Sequence, residues 1–153
     1  VKKIAVLLAM AMLCCVTSPA SAKKLSAKGG YAQGDVWREF GELLDLWRDG
    51  KYEELYRRTV ATGKHSRESF IGRLASSDSR PACCWEKMQE VAISENRSDS
   101  VIVRAKVGME RRDGSVQFQT RKFALEKEGG IWKISMTDIL SLTGNAKKKT
   151  RVH

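Results

Sequence analysis

Residues 100–110, SVIVRAKVGME, set Val101, Val103, Ala105, Val107 and Met109 at every second position, with Arg104, Lys106 and Glu110 between them. Successive strand side chains point to opposite faces, so this is the period of an antiparallel strand with one face in a core and the other in water. On its N-terminal side WEKMQEVAIS (85–94) reads as a second strand, joined to the first by the turn NRSD (96–99). On its C-terminal side RRDGS (111–115) supplies Asp113-Gly114, a favoured hairpin dipeptide. A third strand follows, with Val116 and Phe118 in one phase and Phe123 and Leu125 in the other, which predicts a β-bulge. Gly129-Gly130 makes the last turn, and IWKISM (131–136) alternates Trp132, Ile134 and Met136 as the fourth strand.

Upstream the period is helical. From Asp35 to Arg48, Trp37, Phe40, Leu44 and Trp47 recur three and four residues apart, and Leu43 and Leu46 widen the stripe. Asp35 suits the helix start, and Gly50 suits a left-handed C-terminal cap. KYEELYRRT (51–59) reads as a short second helix with Glu53 and Glu54 in its first turn, ended by Gly63. Ser66 opens a third, SRESFIGRLASS (66–77), with Phe70, Ile71 and Leu74 as its contacts, and SSDSRP with Pro81 reads as a loop. Helices first and strands second is the segregated order of an α+β domain: three N-terminal helices packed on a bent four-stranded antiparallel sheet.

The helix pair FGELLDLWRDGKYEELYRRT (40–59), followed by a bent sheet ending in GGIWKIS (129–135), resembles the nuclear transport factor 2-like superfamily, whose fold is an α+β cone. The resemblance covers about residues 35–142, and small secreted bacterial members of unknown function are the nearest in kind. It implies a concave sheet partly closed by helices, a pocket between them, and frequent homodimer formation through the sheet. It does not imply one activity, because the superfamily includes isomerases, dehydratases, cyclases and members without chemistry.

The ends of the chain carry a different signal. Residues 1–22 run from Lys2 and Lys3 through an apolar stretch, Ile4 to Val16, to Ala20-Ser21-Ala22. That is the order of a secretory signal peptide cleaved after Ala22, and the apolar run is shorter than the ~20 residues that span a bilayer. Bulky residues ahead of Cys14 and Cys15 disfavour a lipid anchor there, and Val1 fits a bacterial valine start codon or a missing first residue. The expected organisation is a leader at 1–22, a polar basic linker at 23–34, one domain at 35–142 and a basic tail at 143–153, in a protein exported to the periplasm or secreted. The formal charge of +10 lies mostly in Lys23, Lys24 and Lys28 and in Lys147, Lys148, Lys149 and Arg151, so the stretch between is near neutral. Nucleic-acid binding calls for cations gathered on a folded face and is not expected; the basic tail reads as a solvated terminus, with weak contact with the cell envelope as its alternative.

Candidate chemistry is sparse. The superfamily's enzymes use a pocket Asp or His as base, which needs a pKa near working pH. Outside the leader the only histidines are His65, in the polar stretch GKHS, and His153 at the C-terminus; Asp113 and Asp138 read as turn and capping residues. No catalytic residue, metal ligand or cofactor is assigned. Tyr56, Trp85, Phe118, Phe123 and Trp132 are read first as core packing, with the lining of an apolar pocket as the candidate alternative. Cys83 and Cys84 are adjacent, and neighbouring Cα atoms sit ~3.8 Å apart, short of the usual ~4.4–6.8 Å of a disulfide. A vicinal or intermolecular disulfide and a pair of inert thiols both stay open, while a zinc clip lacks ligands. Asn96-Arg97-Ser98 matches a sequon but reads as a turn. The expected function is non-catalytic binding of a small apolar ligand in the cone or a protein partner on the sheet. A proton-transfer enzyme of the cone, or an envelope-surface protein using its tails, are the alternatives.

Overall fold

The structure is a computed structural model and describes residues 33–60 and 65–144. The expected leader with Cys14 and Cys15, the linker up to residue 32, Gly63 and the tail from residue 145 with His153 lie outside the described residues. No described helix is long and apolar enough to cross a membrane.

The central alternation holds along its whole length. Strand β4 (Ser100–Arg111) buries Val101, Val103, Ala105, Val107 and Met109 and turns Arg104 and Lys106 away from the helices. β5 (Val116–Glu128) pairs with it in unbroken antiparallel register from Ser100↔Glu126 to Glu110↔Val116. The expected bulge in this strand is therefore absent. Phe118 and Phe123 differ in phase because they point to opposite faces, Phe118 outward and Phe123 into the core. The irregularities are in β3 (Met88–Arg97), whose register against β4 shifts by one residue between Gln89 and Ala92, where Glu90 takes a left-handed φ of 50°, and again between Glu95 and Arg97. β6 (Ile131–Ser135) closes on β5 through Gly129 and Gly130, both at positive φ, the condition of a tight hairpin turn.

The four-stranded antiparallel sheet expected from the sequence is instead a mixed sheet of six strands, in the order β1-β6-β5-β4-β2 with β3 also on β4. β1 (Thr59–Val60) follows the second helix directly and pairs parallel with β6, and β2 (Ser79–Pro81) pairs with the far end of β4. β1 and β2 are two and three residues long, too short for any periodicity, and Pro81 sits where an edge strand tolerates it. The first long strand starts at Met88 rather than Trp85, because Cys84–Glu86 forms a single 3₁₀ turn.

Four helices are described rather than three. α1 (Gln33–Arg48) buries Val36, Phe40, Leu43, Leu44 and Trp47, while Trp37, expected on that stripe, is half exposed at its N-terminal end. α2 is Tyr52–Arg57, and Gly50 before it takes the left-handed φ of 73° expected of a cap. α3 (Arg67–Ala75) is capped by the Ser66 side chain, which accepts from Ser69 N. α4 (Met136–Ser141) begins immediately after β6, so Met136 is helical, and burial continues through Leu142 and Thr143, one residue beyond the expected domain end.

The helices pack on the inner face of the sheet, with Phe40 and Phe123 in ring contact at 4.8 Å. Charged contacts fasten the two layers. Arg58 binds Glu39 at 2.6 Å and donates to Trp132 O, Lys87 binds Asp45 at 2.6 Å, and Arg48 donates to both Glu110 (2.8 Å) and Pro81 O (2.9 Å).

Candidate binding site

The five aromatic residues named as a candidate pocket lining do not gather round one pocket. Phe123 and Trp132 are buried in the core, and Tyr56 is half-buried against Phe70, with ring centroids 5.9 Å apart. Trp85 stands 72% exposed within the 3₁₀ turn, and Phe118 is 39% exposed on the outer face under the Lys106 ammonium. Inside the cone, the place of a ligand is taken by Phe40, Leu43, Leu44, Phe123, Leu125 and Ile134, all inaccessible to solvent. Close-packed side chains of this kind leave no room for a guest.

Two clefts open at the end of the cone, sharing Asp78, Ser79, Arg111 and Arg112. One, of about 600 Å³, runs from Trp47 and Arg48 to Glu110. The other, of about 500 Å³, lies between Gln117 and Gln119 of β5 and Leu142 and Thr143. Their carboxylates make poor bases. The Arg48 side chain holds Glu110 below its ordinary range, the Ser115 hydroxyl and N–H do the same for Asp113, and Asp78 is exposed beside Arg112 at 3.2 Å. His65, half-buried ahead of α3, lines neither cleft.

Cys83 and Cys84 are free and exposed, Cys83 just ahead of the 3₁₀ turn and Cys84 its first residue. Cys84 takes a left-handed φ of 59°, uncommon for a residue with a Cβ. The Cys83 S–H donates to the Cys84 sulfur, which favours the protonated thiol, and this, with desolvation after it, pushes the Cys83 thiol up and lowers its thiolate content. Among the described residues no group of three or more His, Cys, Asp or Glu side chains is placed to hold a metal ion.

The outer face of the sheet carries a third feature that sequence reading missed. A depression of about 580 Å³ is lined by Ala92, Ile93 and Ser94 of β3, Ile102 and Arg104 of β4, Lys122 and Ala124 of β5, and Asp138 of α4. Asp138 reaches it because β6 pairs with β5 only from Leu125 onward; where β6 stops, the Asp138 carboxylate accepts from Ala124 N at 2.8 Å. The expected capping role is thus real, at a strand edge instead of a helix end. Burial raises the Asp138 carboxyl above its ordinary range, with the Ala124 N–H opposing. The signal in the sequence is Ile102, an apolar residue on the polar side of the alternation in β4, with Ala124 in the same outward phase of β5.

No family model and no curated protein matches the chain. Among solved structures, a Xanthomonas campestris structure described as a calcium/calmodulin-dependent protein kinase II association domain matches with a TM-score of 0.51 at 13% identity, covering 69% of this chain and 84% of that one. Aln2 from a Streptomyces species matches at 0.48 and 10% identity over 69% and 89% of the two chains. A protein labelled Rd1NTF2_05 with five substitutions matches at 0.47 and 18%, over 68% and 96%. The first likeness, at this identity, shows a shared α+β fold alone.

Proposed function

We propose that this chain is a non-catalytic binding domain that engages its ligand on the outer face of the sheet rather than inside the cone. The observation that carries the reading is the exchange of roles between the two faces. The inner face is filled by Phe40, Phe123, Leu125 and Ile134, while the outer face exposes Phe118 and a depression over Ile102 and Ala124. This narrows the expectation of an apolar ligand in the cone to one on the sheet, where a protein partner or a second copy of the chain would also sit. At the cone mouth the enzyme alternative is disfavoured because the carboxylates there are held ionised or stand in solvent, whereas a general base works near its own pKa. Export through the leader at 1–22, and weak contact of the basic tail with the envelope, belong to the same proposal.

Amide chemical-shift mapping with 1-octanol as an apolar probe tests it. Shifts at Ala92, Ile102, Arg104, Lys122 and Ala124 are expected. Shifts confined to Gln117, Gln119 and Thr143 would return the site to the cone mouth and overturn the reading.

A further inference from the structure

The outer face combines a charge arrangement and a shape that together specify a ligand. Arg104 and Lys122 are direct cross-strand partners, and like charges so placed repel each other. Both are exposed, and neither forms an ion pair with any described residue. Other lysines are paired: Lys106 with Glu90 at 3.1 Å, Lys133 with Glu128 at 2.5 Å and Lys87 with Asp45 at 2.6 Å, while Lys127 lies over the Trp132 ring. Asp138, the one acid lining the depression among the described residues, is tied to Ala124 N and makes no ion pair with either cation. Two facing cations without a counter-ion attract an anion. The floor beside them is apolar, with Ala92, Ile102 and Ala124 in the outward register, and the depression's volume falls within the ~300–1,000 Å³ of small-molecule sites.

We infer that this depression binds a small amphipathic carboxylate, its headgroup held between Arg104 and Lys122 and its chain lying on Ile102, Ala92 and Ala124. The inference rests on the outer-face reading above and adds the ligand class to it. A monoanion fits better than a phosphate dianion, because Asp138 lies in the same depression and its repulsion grows with the ligand's charge. A two-fold dimer centred on the pair would instead bring four cations together.

Calorimetric titration of the full chain with octanoate at low salt, with 1-octanol in parallel, tests the inference. Octanoate is expected to bind saturably at one per chain and more weakly as salt is added. The double variant Arg104→Gln, Lys122→Gln is expected to lose about tenfold or more of that affinity, the scale of losing a hydrogen bond to a charged group. Octanol binding should be the same in both proteins, and Lys133→Gln should leave octanoate binding unchanged. Removing the repulsion keeps the double variant folded, which its thermal melt checks. Absent saturable binding, or octanoate affinity indifferent to the double substitution, overturns the inference, as does binding to phosphatidylglycerol vesicles without binding to free octanoate. If octanol still shifts the Ile102 and Ala124 amides in that event, only the ligand class fails. If shifts appear at Gln117, Gln119 and Thr143 instead, the outer-face reading fails with it.

Discussion

Asp138 joins two functions in one carboxylate: it closes the open edge of β5 and borders the outer depression. Asp138→Ala leaves the Ala124 N–H without its acceptor and is expected to cost about 1–2 kcal/mol in denaturant unfolding. Asp138→Asn keeps an oxygen there and should cost little. Because burial raises this carboxyl above its unfolded value, the native state holds the proton more tightly. Its contribution to stability therefore falls as pH rises from the unfolded pKa, near 4, through the raised folded value, and the Asn variant should gain on wild type across that window. Glu110 behaves in the opposite sense. Its hydrogen bond from Arg48 lowers the folded pKa, so its contribution is present above the unfolded value and is lost as pH falls through the folded one. Glu110→Gln should be less stable than wild type at neutral pH, and the difference should shrink on acidification in pH-resolved melts. Roles of this kind were faintly legible in the sequence: Asp138 read as a capping residue, but its partner 14 positions away is set by where β6 ends.

Elements were legible in proportion to their length. β4 and α1, at 12 and 16 residues, show enough periods to define a face, and their core residues follow. β1, β2 and α4 show none, because two to six residues complete barely one period and long-range pairing decides their form. The phase change in β5 has two physical causes with one sequence signature, a bulge or a transfer of apolar side chains to the other face, and only pairing separates them. The actual bulge at Glu90 lies in a strand too polar for its slip to register. Gly108 explains the placement of the 3₁₀ turn. A Cβ there would collide with the Glu86 carbonyl oxygen, so β4 lets the turn cross it only because this residue is Gly. Gly108→Ala is expected to destabilise by about 1–3 kcal/mol through overpacking. Phe123→Ala, which empties the contact with Phe40, should cost about 3–5 kcal/mol, both measured by denaturant unfolding.

At the scale of the molecule, the cone resembles known structures in its path through space while its interior has been given over to packing. The α+β class was readable from segregated helical and strand periods; the filling was not, since an aromatic at strand period serves a core or a pocket wall equally well. Trp85 and Phe118 show the same limit from the other side, apolar by type and exposed by position. With the interior closed and the mouth carboxylates ionised or solvated, the outer face of the sheet is left as the surface that distinguishes this chain. The native, non-denatured mass of the protein purified from its host tests this most directly. A bare monomer or dimer, with no small molecule retained, is the expected result. A stoichiometric extra mass that leaves only on denaturation, and that the Arg104→Gln, Lys122→Gln variant still retains, would mean a hollow, occupied cone and contradict it.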